Sequence, residues 1–439
     1  MGVQGTFSDF ASVSTIDRRL SRIRDHQVVL HLAIFSLAFF VLFLRRPDAL
    51  LNAQFYAEDG KYWYADAYHF GFRCLWMPLD GYLNSVSRLI GLLTLLFPLA
   101  YAPLIMNVAG LLGAILPVNV FLSSRFGSIP IALRIFASVW YLLLPNSYEI
   151  HANTTNLHWH LALVGCLVLL AKPGGTAAWR VFDCMVLASL ALAGPLGILL
   201  VPVAVVLRWT SKDQSYNLFL GALIPGAVLQ ALLILFSGSR PSPTNGATFQ
   251  QLAGILGGQL FLSSIFGLKE FVRLYYVGNP VLLSFLELVA LALGVPVMTY
   301  AVLYGPVRLK LFILFSVTVL ILGLTHPLVD PSSVVPQWQL LQTPGIGNRY
   351  YFFPMVAFFA SLIWMLGILT PTPKMARYLA GVILLFVPFG IYTDRQYFRF
   401  KDLHFRAFAA QFEQASPGTR VTIPVYPGTG PWQMELAKK

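Results

Sequence analysis

The sequence predicts an all-α, polytopic integral membrane protein with about eleven transmembrane helices, outer-face loops and interfacial helices. Of its 439 residues, 57% are hydrophobic and only 11% are charged, against roughly 25% charged residues in an ordinary soluble domain. The apolar residues also gather into runs near the 20 residues that a helix needs to cross a bilayer. So few charges cannot cover a soluble globule of this size, whereas lipid needs none. Soluble, disordered and fibrous proteins are thereby excluded.

Eleven apolar segments are candidate spans. They begin near Gln27, Pro103, Pro130, His158, Trp179, Pro195, Asn217, Pro280, Leu309, Tyr350 and Ala376. A further apolar segment, Tyr82 to Leu99, is expected to lie along the outer face, because the short links between spans then carry their Lys and Arg residues on the cytoplasmic side. The basic N-terminus is cytoplasmic in the same topology, with Arg18, Arg19, Arg22 and Arg24.

This topology divides the chain into two parts. Residues 1–393 are predicted to form the membrane domain, with a first outer loop over residues 45–100, and residues 394–439 a short outer-face tail. The formal net charge of +12 is then topological, since a nucleic-acid binder needs a basic face on a soluble domain. We therefore expect membrane lipids and no nucleic acid as partners. Cys74, Cys166 and Cys184 are too far apart in sequence for a CxxC metal site.

The first outer loop contains an acidic pair, Glu58 and Asp59, among aromatic residues. Neighbouring carboxylates repel, so one of them should have a raised pKa and could accept a proton from a sugar hydroxyl or an amine. The pair could also ligate a divalent cation, Mg²⁺ or Mn²⁺. Alternatively, Glu58 caps or solvates an interfacial helix and the aromatic residues form an ordinary interfacial belt.

A second polar stretch lies between two apolar spans, at residues 145–160. Glu149, Asn153 and Asn156 recur at spacings of four and three, so on a helix they would share a face towards the first loop. His151 and His158 repeat at a spacing of seven. These residues could bind substrate, and the histidines could instead form a metal site, although no HExxH pattern occurs. Ordinary interfacial histidines are the competing interpretation.

A third stretch, residues 343–350, places Arg349 and Tyr350 after a glycine-rich loop at the start of a late span. Backbone N–H groups at a helix start, together with an arginine, suit an anion such as a lipid phosphate. Interfacial snorkelling of the arginine is the alternative. Further outer-face cations could hold a phosphate or meet lipid head groups, namely Arg88, Arg240, Lys269 and Arg273.

Taken in order, these parts resemble the GT-C membrane glycosyltransferases. The resemblance covers most of the chain: an N-terminal span, a long outer loop with Glu58 and Asp59, an interfacial segment, a second outer loop after the Leu-Leu-Leu-Pro helix end at residues 142–145, and Arg349-Tyr350 entering a late span. It implies a polyprenyl-phosphate-linked sugar donor, an active site at the outer face and inverting transfer to an acceptor.

The resemblance also implies roles for individual residues. Asp59, or its neighbour Glu58, would occupy the position of the first-loop acid, and Glu149 that of the second-loop acid. Arg349 and Tyr350 match the region that meets the phosphate of the lipid donor. A first-loop carboxylate would accept the proton of the acceptor, so Asp59→Asn is expected to abolish transfer without lowering membrane abundance.

The chain departs from the oligosaccharyltransferase branch, because it has no WWD-type motif and no large soluble C-terminal domain. Transfer of a single sugar to a lipid or cell-surface glycan acceptor, in a bacterial inner membrane, is therefore expected. A transporter or lipid flippase is the first rival, and it would line a midplane cavity with polar residues. A membrane acyltransferase or polymer ligase is the second, and a site centred on His151 or His158 would favour it.

Overall fold

A computed structural model describes residues 27–237, 243–330, 333–428 and 430–439, and these residues are mostly helical, as predicted. The four N-terminal arginines and Arg240 lie outside the described residues. In the described part of the chain, the first nine α-helices are α1 (Gln27–Arg45), α2 (Asp48–Leu51), α3 (Ala65–Phe70), α4 (Ser85–Thr94), α5 (Ala102–Leu122), α6 (Ile131–Leu142), α7 (Leu157–Leu170), α8 (Ala177–Leu192) and α9 (Leu196–Ser211).

Ten more α-helices follow. They are α10 (Ser215–Phe236), α11 (Phe249–Gly254), α12 (Ser263–Phe266), α13 (Leu268–Tyr276), α14 (Pro280–Tyr304), α15 (Val307–Thr325), α16 (Gln337–Leu341), α17 (Asn348–Met365), α18 (Lys374–Thr393) and α19 (Phe405–Gln414). Two further segments, Asp59–Tyr64 and Ile255–Leu262, are π-helical. Short 3₁₀ turns cover Gly71–Trp76, Leu99–Tyr101, Ser124–Phe126 and Tyr148–Ile150, and the strands are β1 (Arg420–Pro424) and β2 (Gln433–Ala437).

Each predicted span coincides with a helix, namely α1, α5 to α10, α14, α15, α17 or α18. Among the described residues, five segments are long and apolar enough to cross a membrane: Leu99–Leu122, Ser215–Phe236, Pro280–Tyr304, Val307–Thr325 and Lys374–Thr393. Helix α6 has only 12 residues and α7 only 14. At 1.5 Å per residue they rise about 18 and 21 Å, less than the roughly 30 Å of a hydrocarbon core. The structure therefore shows five helices that could span, and the count of eleven stays a prediction.

The segment from Tyr82 to Leu99 contains the ten-residue helix α4. Ten residues rise only about 15 Å, half the thickness of a bilayer core, so this helix is too short to cross. One face of it is buried, with Arg88 and Gly91, while Leu89 and Leu93 on the other side are exposed. This amphipathic arrangement is typical of a helix at the surface of a bundle, and its expected position along the outer face stays a prediction.

Helix α17 lies at the centre of the bundle, since 15 of its 18 residues are buried. A helix that is apolar on every side must be covered by protein or by lipid, and here the cover is protein. Trp140 of α6 stacks on Phe359 of α17 with ring centroids 3.6 Å apart, and Phe315 of α15 meets Phe353 edge-on at 5.0 Å. The first turn of α17 is thereby held at a fixed place at one end of the bundle.

The segment after residue 393 has more structure than the predicted short tail. Helix α19 and the antiparallel pair β1–β2, with Val421 opposite Leu436, form a small unit that packs on the first loop. Inward-facing side chains of this unit, such as Ile423 and Met434, share a buried cluster with Phe55 and Trp63. We call residues 394–439 the C-terminal unit. It covers the chain segment that carries the acidic pair.

Candidate functional site

The three polar stretches identified in the sequence meet at one end of the bundle. Asp59 joins the first two, because its fully buried carboxylate accepts hydrogen bonds from the second stretch. The donors are the Thr154 N–H at 3.0 Å, the Thr154 hydroxyl at 2.7 Å and the Thr155 hydroxyl at 2.8 Å. Both carboxylate oxygens are thus engaged. Asp59 ties the two loops together and is closed off from any ligand.

The backbone around the acidic pair has an unusual conformation. Asp59 begins the π-helical segment, and Ala57, directly before Glu58, has a φ of +42°. Asp80, Asn146 and Ala152, in the same loops, also have positive φ. Non-glycine residues adopt this region only where the surroundings enforce it, and such residues cluster at functional sites. The enforcing contacts at Ala57 come from the C-terminal unit, since the Ala57 N–H donates to the Tyr426 carbonyl at 2.8 Å.

Glu58 differs from its neighbour Asp59 in its exposure and in its hydrogen-bond partners. Its side chain is half-buried, and the hydrogen bond that acts on its carboxylate comes from its own backbone and lowers its pKa. Burial raises the pKa of Glu58 to about 7, the charges of Asp59 and Asp80 add to the rise, and Arg349 opposes it. Burial also raises the pKa of Asp59, to about 6, against the donors of Thr154 and Thr155. Glu58 is therefore a carboxylate poised between its two protonation states near neutral pH.

Glu149 of the second stretch and Arg349 of the third form a direct ion pair. The Arg349 backbone N–H, in the first turn of α17, also donates to Oε2 of Glu149 at 3.1 Å. The guanidinium donates in addition to the Leu328 carbonyl at 2.6 Å, and its centre lies 4.8 Å from the Tyr350 ring. The helix start and the arginine thus hold the Glu149 carboxylate, and binding of a lipid phosphate there stays a prediction.

Asn153 and Asn156 do meet Glu149, but the helix that was expected to align them is absent. Residues 148–150 form one 3₁₀ turn, and α7 begins only at Leu157. Both amides instead donate to the Glu149 backbone carbonyl, at 2.8 and 3.0 Å. The prediction of a shared helix face was wrong because Ala152 has a left-handed conformation, with φ of +53°, which no α-helix accommodates. Both asparagines are buried and position the loop.

The two histidines of the second stretch lie on different sides of it. His151 is buried against Tyr397, with ring centroids 5.0 Å apart, and its Nε2 has no partner among the described residues. It lines a small cavity together with Arg45 and Ser147. Burial, with Arg46 nearby, lowers the pKa of His151 well below its usual value, so the ring is neutral. His158 is half-buried, with its Nδ1 3.1 Å from the Thr155 carbonyl.

The remaining predicted cations lie apart from this centre. Arg88 is buried and paired with Asp66 at 2.6 Å, so its charge is already neutralised. Arg273 is exposed and pairs with Glu270 on the same helix, α13. The Lys269 ammonium lies 5.5 Å from the Phe398 ring. The structure does not bring these three to the acidic pair.

A buried network of hydrogen bonds holds the third stretch in place, and sequence reasoning missed it. Asn146 donates from its backbone to Asp394 at 2.9 Å and from its amide to the Gln259 carbonyl at 2.8 Å. Asn348, at the start of α17, donates to the Asn146 carbonyl at 2.9 Å. Gln259 in turn donates to the Thr343 carbonyl at 2.5 Å and holds the glycine-rich loop. Thr154, Thr155 and Tyr56 were also missed, although they stand beside predicted residues in the sequence.

The donor set does not fit a resident divalent cation. The described residues include no group of three or more His, Cys, Asp or Glu side chains placed to hold a metal ion. Asp59 is occupied by Thr154 and Thr155, and Glu149 by Arg349. Within the part of the chain described here, the chemistry of the site is therefore derived from its carboxylates, its arginine and its backbone N–H groups.

The chain was also compared with known proteins. No protein-family model and no curated protein matches its sequence. The class of the protein must therefore be argued from the site itself.

Proposed function

We propose that this protein is a membrane glycosyltransferase that moves a sugar from a polyprenyl-phosphate donor to a lipid or cell-surface glycan acceptor. The observation that carries the proposal is Glu58: a half-buried carboxylate with a pKa near 7, whose hydrogen bond comes from its own backbone, in a site that also holds Arg349 at a helix start. A general base works best when its pKa lies near the operating pH. A cation together with helix N–H groups suits a departing phosphate.

The proposed reaction is a single inverting displacement. An acceptor hydroxyl oxygen attacks the anomeric carbon of the donor sugar, and its proton passes to the Glu58 carboxylate. The bond between the anomeric carbon and the phosphate oxygen breaks, and its electron pair leaves with polyprenyl phosphate. The charge that develops on that oxygen is met by Arg349 and by the backbone N–H at the start of α17. Tyr350 fixes the guanidinium from one side.

Glu58 is a better base than Asp59 on structural grounds. A base needs a lone pair that can reach the acceptor, and both oxygens of Asp59 already accept hydrogen bonds from Thr154 and Thr155. We therefore assign Asp59 a positioning role and place Glu149 as the partner that sets the charge around Arg349. This assignment replaces the expectation that Asp59→Asn abolishes transfer: Asp59→Asn retains it in part and Glu58→Gln does not.

The proposed setting is a bacterial inner membrane. The five long apolar helices support membrane insertion, and we propose eleven spans in all, with the N-terminus in the cytoplasm and the site at the outer face. The short helices α6 and α7 flank the second polar stretch, and α6 exposes Ile135, Phe136 and Val139 along its length. A polyprenyl chain could then lie in lipid while its phosphate reaches Arg349.

The test is transfer by the purified protein in liposomes. Wild type, Glu58→Gln and Asp59→Asn are incubated with a panel of short-chain polyprenyl-phosphate sugars, and released polyprenyl phosphate is measured. Release by wild type and Asp59→Asn, but not by Glu58→Gln, supports the proposal. Release by all three variants would remove Glu58 as the base. No release from any donor by folded wild type would favour the transporter or flippase, and a lipid-flux assay in the same liposomes would follow.

A further inference from the structure

Three aromatic side chains form a wall beside the acidic pair. Phe400 and Tyr426 of the C-terminal unit stack with ring centroids 3.9 Å apart and an interplanar angle of 24°. The ring of Tyr56, in the first loop, lies 5.8 Å from Phe400 with an interplanar angle of 32°, and 5.7 Å from Tyr426 with an angle of 25°. We call Tyr56, Phe400 and Tyr426 the aromatic wall. All three rings are half-buried, so part of the wall is open.

Among the described rings and cations, neither Tyr56 nor Arg46 lies over the face of Tyr426 that points away from Phe400. A third ring stacked on that face would be farther from Phe400 than from Tyr426 by about one stacking distance. The Tyr56 ring is instead about equally far from the two rings. Tyr56 therefore stands at the edge of the stacked pair. The opposite face of Phe400 is covered by the buried guanidinium of Arg46, whose centre lies 4.1 Å from the ring.

The wall is fixed rigidly and adjoins the proposed base. The Tyr426 N–H donates to the Phe55 carbonyl at 3.0 Å, and the Ala57 N–H returns a bond to Tyr426 at 2.8 Å. Tyr56 is two residues before Glu58 in the chain. Within the described residues, neither the Tyr56 nor the Tyr426 hydroxyl makes a hydrogen bond. The wall thus offers an apolar ring face with hydroxyl groups at its rim.

We propose that the aromatic wall binds the sugar ring of a carbohydrate acceptor, stacked on Tyr426 with its hydroxyls within reach of Tyr56. This inference rests on the proposed function and adds the acceptor class to it. A pyranose ring has an apolar C–H face and a rim of hydroxyls, which matches an aromatic face flanked by phenols. A sugar held there is positioned to present a hydroxyl to Glu58, the geometry that an intermolecular displacement requires.

The first test separates binding of the acceptor from binding of the donor. In Tyr426→Ala the KM for the acceptor rises about tenfold, and the KM for the polyprenyl-phosphate donor changes less than twofold. Tyr426→Phe, which keeps the ring, stays within about threefold of wild type. Tyr378→Ala, a substitution of an exposed tyrosine on α18, is the matched control and leaves both constants unchanged. An unchanged KM for the acceptor in Tyr426→Ala, or an equal rise for donor and acceptor, would overturn the proposal.

The second test needs no turnover, so it stands even if the proposed reaction fails. Saturation-transfer NMR on the protein in lipid nanodiscs measures binding of methyl hexosides and short linear oligosaccharides. Wild type and Tyr426→Phe bind at least one of them, and Tyr426→Ala, with an unchanged melting temperature, loses the signal. If wild type binds none, or if Tyr426→Ala binds as wild type does, the wall is not a carbohydrate site. Displacement of the bound saccharide by a short polyprenyl phosphate would reassign the wall to the donor.

Discussion

Replacing Gly110 with Ala should destabilise the protein and disturb the site, because the new methyl group has no space. Gly110 lies in the middle of α5, against the second polar stretch. A Cβ atom there would lie 2.5 Å from the Asn153 nitrogen and 2.6 Å from the Asn153 carbonyl oxygen. Both are backbone atoms, so no side-chain rotation can relieve the overlap. The next two residues, Thr154 and Thr155, hold Asp59, so a displaced Asn153 moves the acidic pair as well.

The magnitude follows from the overlap. Ordinary contact begins near 3.4 Å, so the loop and α5 must separate by roughly 0.9 Å. Forcing one extra methyl group into a packed interior costs about 1–3 kcal/mol. The gain in helix propensity from Gly to Ala, up to about 1 kcal/mol, opposes this. Gly381→Ala, in α18, isolates that gain because a Cβ atom there meets nothing within 4 Å.

The assay is thermal unfolding of both variants in one detergent at one scan rate, since membrane proteins often unfold irreversibly. We expect Gly381→Ala to melt at or slightly above the wild-type temperature and Gly110→Ala to melt several degrees lower. Transfer by Gly110→Ala should fall along with stability. Equal melting temperatures for the two variants would refute the packing of Asn153 on α5, and with it the described position of Asp59.

Four further predictions concern the charges of the site and its need for a metal ion. The kcat/KM for transfer should rise with pH through about 7, because Glu58 must lose its proton to act as base and burial raises its pKa to about 7. Glu58→Gln should remove this rise in kcat/KM and lower the rate by about 10²–10⁴. Asp59→Asn should move the rise to lower pH, because it removes a negative charge next to Glu58. The raised pKa also means that the contribution of Glu58 to stability is full below about pH 4.5 and is lost as pH rises through about 7, which pH-dependent melting of wild type against Glu58→Gln would measure. Arg349→Gln should cost about 1–3 kcal/mol, because it leaves the Glu149 carboxylate largely buried without its cation; adding Glu149→Gln should restore the melting temperature but not the KM for the donor. Transfer should persist in EDTA, since the described donor set fits no resident metal ion, and loss of activity restored by Mg²⁺ or Mn²⁺ would contradict this.

The sequence predicted the helices better than it predicted the contacts between loops. Apolar runs near 20 residues located all eleven candidate helices, because a helix buried in lipid or in a bundle is apolar along its length. The pairing of Asp59 with Thr154 could not be predicted in the same way. It joins residues 95 positions apart, and no local spacing encodes which polar groups meet when helices pack. The loops that carry the site were found, but their partners were not.

The C-terminal unit was missed for a related reason. Strands β1 and β2 have five residues each, and their inward-facing side chains become buried only against α19 and the first loop. A two-stranded hairpin is marginal on its own, so its stability comes from a surface that the local sequence does not reveal. The short alternation around Val421 and Ile423 was the available signal. The positive φ at Ala57 could not be predicted from the sequence, because glycine, not alanine, is the residue that indicates this conformation.

Glu149 bears directly on how a phosphate could be accepted at this site. Its carboxylate occupies the anion position at the start of α17, bound both by the Arg349 side chain and by the Arg349 backbone N–H. A cation buried beside a helix start without an anion would be costly, so Glu149 stabilises the site before a ligand arrives. An incoming phosphate must therefore share Arg349 with Glu149 or displace it. In either case the charge on Glu149 sets how strongly the phosphate is held, and under the proposed function we expect a carboxylate at this position to favour release of polyprenyl phosphate after transfer.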